Sequence, residues 1–204
     1  MEVIRVDAVS STQDVARQLP VGTVVVAEHQ TAGRGRLDRR WEAPPGTALL
    51  ASWVMPVHDL APLAAGVAAA TACGDGVRLK WPNDLLLDGR KLGGILVERT
   101  AYKCLVGTGI NLRWAPPGAA ALGVDRDELV GRMGPEMIRW FAAPPPAILA
   151  AWRERADTLG RRVRVELTGE TFEGVAEDIL ADGTLVVGGR PFAAGDVVHL
   201  RPAG

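Results

Sequence analysis

Cysteine is nearly absent from this chain: Cys73 and Cys104 stand far apart, with neither CxxC spacing nor a histidine beside them. A zinc site and a disulfide framework are therefore unsupported, and two packed free thiols are expected. The three histidines, His29, His58 and His199, are isolated from any Ser–His–Asp or Cys–His pattern, which disfavours nucleophilic hydrolysis. Charge of one sign is also lacking. The net charge of −1 provides no global basic field of the kind non-specific nucleic-acid binders use, so any anion site must be local. Long apolar runs are missing too. The longest, residues 60–73, is interrupted by Pro62 and Gly66, is too short to span a bilayer and reads as a buried Ala-rich helix. The N-terminus alternates charged and short apolar residues without the apolar centre of a signal peptide, so a cytoplasmic location without membrane attachment is expected. No internal repeat is evident, and the Ala/Pro/Gly-rich stretch at 115–123 reads as a surface loop.

What is present is a globular balance. With 48% hydrophobic and 23% charged residues, 204 residues suffice for one catalytic domain of ordinary size and at most a small appended module. Ser10-Ser11-Thr12-Gln13-Asp14 caps a short helix that Pro20 and Gly22 end. Val24-Val25-Val26-Ala27 and Ala48-Leu49-Leu50-Ala51-Ser52-Trp53-Val54 read as core strands, and the loop from 30 to 40 hangs between them. Val77-Arg78-Leu79-Lys80-Trp81 is a strand stopped by Pro82. Asp88-Gly89 between apolar runs predicts a hairpin with a type I′ turn, and 104–111 is one more strand.

From 125 to 159 the period becomes helical. Leu129, Met133, Met137, Trp140 and Phe141 form one stripe, and Ile148, Leu149 and Trp152 form another after a proline run. Beyond Gly160 short strands return at 163–167, 173–179 and 185–187, which predicts a small β-barrel module. The expected organisation is a catalytic domain over 1–159 and a C-terminal domain over 160–204.

Four strings carry chemistry. Gly33-Arg34-Gly35-Arg36 sets two side-chain-free backbone units among guanidinium forks, which suits a carboxylate or phosphate but also a solvated Arg-rich turn. Arg39 and Arg40 extend the positive charge, and Trp41 either stacks on a base or, as the residue alone suggests, covers the core edge. Asn83 and Asp84 end a strand where they could hold a magnesium-bound phosphate or simply cap a turn. Lys91 enters an apolar strand beside Gly93 and Gly94, which leave room for a flat ligand. Gly107-Thr108-Gly109-Ile110-Asn111 repeats the pattern of small residues next to a polar one, or reflects close strand packing.

With Ser11-Thr12-Gln13, Gln30 and Lys80-Trp81-Pro82-Asn83-Asp84 added, these strings resemble the biotin protein ligase family in order and spacing. The resemblance is close over the first hundred and ten or so residues and holds in outline beyond. It implies an α+β, two-layer biotin/lipoate ligase-like catalytic domain with an SH3-like C-terminal cap. By the same resemblance Ser11, Thr12, Gln13, Gln30, Gly33, Arg34, Gly94, Ile95 and Gly109 would meet biotin. Arg36, Trp41, Asn83, Lys91, Asn111 and Arg201 would meet the nucleotide, and Asp84 the magnesium ion. Lys91, Arg34 and Arg36 would act catalytically.

The sequence departs from the family pattern in two places. The family usually has Asn where Gln13 stands, and a Gly-Arg pair where this chain has Leu37-Asp38-Arg39. The acid in that basic loop would either weaken phosphate binding or pair with Arg39 or Arg40.

The implied activity is formation of biotinyl-AMP from biotin and MgATP, followed by transfer to a lysine of a biotin carboxyl carrier protein. A homodimer is left open. The rivals are a lipoate or octanoate ligase of the same fold, a biotin-sensing repressor, and a non-catalytic biotin-binding module. With Ser10-Ser11-Thr12 so near the start, no room is expected for the DNA-binding domain that a repressor needs.

Overall fold

A computed structural model describes residues 1–167, 169–193 and 195–199. The larger layer is a seven-stranded sheet, built from β1 (Glu2–Val9), β2 (Thr23–Gln30), β3 (Ala48–Met55), β4 (Val77–Lys80), β5 (Asp84–Leu87), β6 (Arg90–Arg99) and β7 (Cys104–Asn111). Its order is β1-β2-β3-β7-β6-β5-β4, and only the β1–β2 pair is parallel. The hairpin predicted at Asp88-Gly89 is present, with both residues at positive φ (51° and 70°), as a type I′ turn requires.

The two faces of the sheet follow the two-residue period of its strands. On one face Val24, Val26, Trp53, Val106 and Ile110 pack beneath α2 (Ala61–Cys73), α3 (Arg126–Phe141) and α4 (Pro145–Arg155). Helix α2 is buried on nearly all sides, as its run of alanines foretold, and the predicted stripes of α3 and α4 are both buried. On the other face Val25, Val54 and Leu105 pack with Ala16 of the short helix α1 (Thr12–Ala16). Ser11 caps α1, its hydroxyl accepting from the Gln13 amide, but the helix ends at Ala16 rather than running on to Pro20. Because α1 is one turn long, most of this second face is left for something other than a helix.

Cys73 and Cys104 are both free and buried, and burial pushes the Cys73 thiol up to about 12.

The C-terminal part is a five-stranded antiparallel sheet of order β11-β10-β9-β8-β12, comprising β8 (Arg162–Leu167), β9 (Glu170–Ile179), β10 (Leu185–Val187), β11 (Arg190–Phe192) and β12 (Asp196–His199). Strands β11 (Arg-Pro-Phe) and β12 (Asp-Val-Val-His) were not read from the sequence, since each is short and neither is an unbroken apolar run.

This small sheet is fastened to the large one. The Asp157 amide donates to the Leu79 carbonyl, the Trp81 amide to the Thr158 hydroxyl, and the Trp81 indole to the Gly183 carbonyl. Trp81, read as the end of a core strand, is thus a buried peg between the two sheets.

Candidate active site

The open face of the large sheet carries a glycine floor, bare of side chains at Gly94, Gly107 and Gly109. Gly94 of β6 pairs with Gly109 of β7, Gly107 with Ser52 of β3, and all of them share the face of α1. A cleft of about 250 Å³ lies on this floor. It is walled by α1, by the loop from 33 to 41 and by strands β8 and β12 of the C-terminal sheet.

At the α1 end the cleft carries buried polar groups. Ser11, Thr12, Gln13 and Ser52 are each no more than 3% exposed. The Thr12 amide (2.7 Å) and its hydroxyl (3.0 Å) both donate to Gln30 Oε1, and the Thr12 and Ser52 hydroxyls lie 2.7 Å apart. The Gln13 side-chain Nε2 donates to the Leu96 carbonyl at 3.0 Å and sits above Gly107, where a Cβ would come within 3.1 Å of it. A glutamine therefore fits at this departure from the family's asparagine because Gly107 leaves it space.

Polar groups this deep survive only when paired, and this set keeps spare donors and acceptors at the cleft surface. It suits a small polar ring system. Ser52 was missed in the sequence, although a hydroxyl inside an otherwise apolar strand was the available signal.

At the other end are the charged groups. Lys91 Nζ lies 2.6 Å from Asp84 Oδ1 and 6.0 Å from the centre of the Trp41 ring. Lys91 owes this position to an irregularity. Leu85 pairs with Gly93 but Leu86 pairs with Lys91, so Leu92 is an extra residue in β6. Strict alternation would put Lys91 on the face opposite Gly94. The bulge returns it to the cleft side, a common use of bulges near sites.

Trp41 lies across the glycine floor and also packs against the buried cluster of Ala27, Ala48 and Leu50, so it covers the core edge, as the residue alone suggested, and lines the cleft as well. A Cβ at Gly109 would come within 2.5 Å of the indole, so only glycine admits the ring. Its Nε1 is buried with no hydrogen-bond partner among the described residues. Asn83 uses its side-chain amide to donate to the Ile95 carbonyl at 2.9 Å, which ties the start of β5 to β6 at the cleft wall.

Arg34 and Arg36 line the cleft from the loop. Arg34 is held at 2.8 Å by Asp14, whose carboxyl its hydrogen bond keeps below the usual range. Arg36 is half-buried. Burial lowers its pKa, against the nearby charges of Asp196 and Asp84, and its guanidinium donates to the Gly195 carbonyl at 3.3 Å. Asp38 pairs with neither Arg39 nor Arg40 among the described residues. Arg39 instead forms an ion pair with Asp196 of β12.

Gly33, Asn111 and Arg201 stand apart from this group. Gly33 lies under the loop rather than in the cleft, with a Cβ there only 2.3 Å from the Trp41 carbonyl. Asn111 is buried beneath the 112–122 segment and donates to the Ala120 carbonyl. Arg201 lies outside the described residues.

A magnesium ion was expected at Asp84. Among the described residues no group of three or more His, Cys, Asp or Glu could hold a metal alone. One carboxylate beside a cleft of cations does fit an ion that shares its ligands with substrate phosphates.

The description "Biotin/lipoate A/B protein ligase family" matches residues 3–113, and "Biotin protein ligase C terminal domain" matches residues 158–200. The chain belongs to the biotin/lipoate A/B protein ligase family.

Within that family it is 41% identical to the biotin–[acetyl-CoA-carboxylase] ligase of Mycobacterium tuberculosis, over 88% of this chain and 80% of the relative. It is 34% identical to the enzyme of the same name from Paracoccus denitrificans, over 81% and 83%. The biotin protein ligase of Aquifex aeolicus, solved in complex with biotin and ATP, shares the fold with a TM-score of 0.85 at 24% identity, over 98% of this chain and 99% of that one.

Proposed function

We propose that this chain is a biotin protein ligase. It converts biotin and MgATP to biotinyl-AMP and pyrophosphate, then passes the biotinyl group to a lysine of a biotin carboxyl carrier protein. The observation that supports this reading is the single cleft that joins the Thr12–Gln30–Ser52 hydrogen-bonding set to the Lys91–Asp84 pair across the glycine floor. An acid with a polar ring at its far end is held at one end, and its carboxylate arrives among cations at the other.

Ser11, Thr12 and Gln30 hydrogen-bond the ring of biotin, with Gln13, Gly94, Ile95 and Gly109 shaping its berth. In the first step a biotin carboxylate oxygen bonds to the α-phosphorus of ATP, and the bond from that phosphorus to the pyrophosphate oxygen breaks. Lys91, Arg34 and Arg36 stabilise the negative charge that builds on the phosphoryl oxygens, where prearranged cations contribute most. Trp41 and Asn83 border the nucleotide. Asp84 would hold magnesium together with the triphosphate, and that ion would neutralise phosphate charge.

In the second step the neutral amine of the carrier lysine attacks the acyl carbon, AMP leaves as the acyl–phosphate bond breaks, and the amine proton passes to solvent. The mixed anhydride must be kept from water between the steps, which falls to the loop over the cleft.

The test is incorporation of biotin, stable to acid, into a purified biotin carboxyl carrier domain with MgATP. Transfer of octanoate or lipoate in place of biotin would overturn the substrate assignment. Binding of biotin with neither pyrophosphate exchange nor transfer would overturn the enzyme assignment.

A further inference from the structure

The loop from 33 to 41 closes on itself as a small hairpin, with Arg34 and Arg40 bridged antiparallel. Its base is pinned by the Trp41 amide donating to the Gly33 carbonyl (3.0 Å) and the Gly35 amide donating to the Arg39 carbonyl (2.7 Å). Its tip turns through Leu37 and Asp38, both in the left-handed region at φ 54° and 57°. Glycine is absent from that tip, so Leu37 and Asp38 take a conformation that glycine favours, and the turn is closed by the Arg39 amide donating to the Arg36 carbonyl at 3.2 Å.

Its tip also meets the C-terminal sheet, 157 residues further along the chain. Arg39 pairs with the Asp196 carboxylate, and Arg36 donates to the carbonyl of the preceding Gly195. Asp196 is the better-buried member, its side chain 18% exposed against 65% for Arg39. It also borders the cleft beside Arg36.

We infer that Asp196 is a positioning residue that latches the arginine loop shut over the adenylate through Arg39. This rests on the ligase reading given above. The left-handed tip brings Arg39 to Asp196 of β12 at the wall of the cleft, so the first two arginines of the loop remain for the substrate anion while the third engages the C-terminal sheet. A half-exposed ion pair of this kind is weak, which suits a catch that must release once per turnover. The C-terminal sheet thereby governs how long the intermediate is retained, with no contact of Asp196 to the reacting atoms required.

The experiment compares the wild-type chain with Asp196→Ala, Asp196→Glu, Arg39→Asp and the exchanged pair Arg39→Asp/Asp196→Arg. The measured quantity is the fraction of biotinyl-AMP lost to water or released before capture by the carrier. Asp196→Ala and Arg39→Asp should raise that fraction roughly two- to fivefold. Asp196→Glu and the exchanged pair should restore it in large part, and added salt should raise it in the wild type far more than in Asp196→Ala. A merely structural role would not produce rescue by exchange.

Trypsin cleavage within the loop, followed without substrates, reads the latch independently of activity. It should be faster in Asp196→Ala than in the wild type. Equal loop cleavage, or leakage unchanged in Asp196→Ala, overturns the latch. If the wild type makes no biotinyl-AMP at all, the ligase reading fails, and the cleavage comparison still decides whether Asp196 holds the loop.

Discussion

Lys91 Nζ meets Asp84 Oδ1 at 2.6 Å across the β5–β6 hairpin, although residues 84 and 91 are not paired in the ladder and the strand period would set them on opposite faces. The extra residue at Leu92 makes the contact possible. It ties a mobile cation to the carboxylate beside which nucleotide phosphates would lie, so the pair orients Lys91 before substrate arrives.

Replacing Lys91 by Ala should lower pyrophosphate exchange by roughly 10²–10³-fold, the usual cost of removing one charge-stabilising donor. The side chain is 45% exposed, so the melting temperature should stay within a degree or two. Exchange at the wild-type rate in this variant would remove Lys91 from the mechanism.

Gly109 and Gly93 separate site from scaffold. A methyl group at Gly109 would run into the Trp41 ring at 2.5 Å, a side chain that can swing away. Gly109→Ala should therefore fold but raise the KM for ATP about tenfold, the equivalent of 1.4 kcal/mol. A methyl group at Gly93 meets the Gly109 carbonyl at 2.6 Å, a backbone atom that cannot yield, so Gly93→Ala should cost roughly 1–3 kcal/mol in stability by denaturant titration. The opposite pattern would contradict the placement of Trp41.

Thr12→Val removes the hydroxyl that joins Gln30 to Ser52 in a buried setting. It should destabilise the chain by about 1–3 kcal/mol and raise the KM for biotin while leaving that for ATP in place. Parallel increases in both constants would show that the two ends of the cleft are not separate subsites.

Burial, followed by the charge of Lys80, lowers the His199 imidazole from 6.5 to about 4, against the pull of Asp157 at 3.3 Å. Between those two values the unfolded chain binds a proton that the folded chain refuses. Stability should therefore fall as pH drops from about 6.5 toward 4, by roughly 1–3 kcal/mol, and level off below for this group. Urea midpoints measured at pH 7, 5.5 and 4.5 should show this slope, and His199→Gln should flatten it. An equal slope in the variant would assign the acid sensitivity elsewhere.

Much of the catalytic layer was legible in the sequence because its signals are local. The N-cap at Ser11, the Asp88-Gly89 turn, the apolar runs of β2 and β3 and the buried alanines of α2 each follow from a few adjacent residues. Most of the candidate site was legible in the same way, through short strings read together. Ser52 was passed over because one hydroxyl in a strand says nothing until Thr12 is seen 2.7 Å away. Asn111 matched its string yet sits under the 112–122 segment, because a motif gives type and order but not what the chain later lays over it. Asp196 carried no signal at all, since a carboxylate in a four-residue strand gains meaning only from Arg39.

The amino-acid order by itself determined most of the strands, the glycines that clear the floor and the types of polar group available, because propensity, period and turn chemistry act over a few residues. The tertiary structure decided which of them meet. Lys91 faces Asp84 through one extra residue in β6, Trp41 lies on Gly109, and the arginine loop closes against β12. Each of these depends on contacts between segments far apart in the chain, and such contacts form only once the core beneath them has fixed where every strand lies.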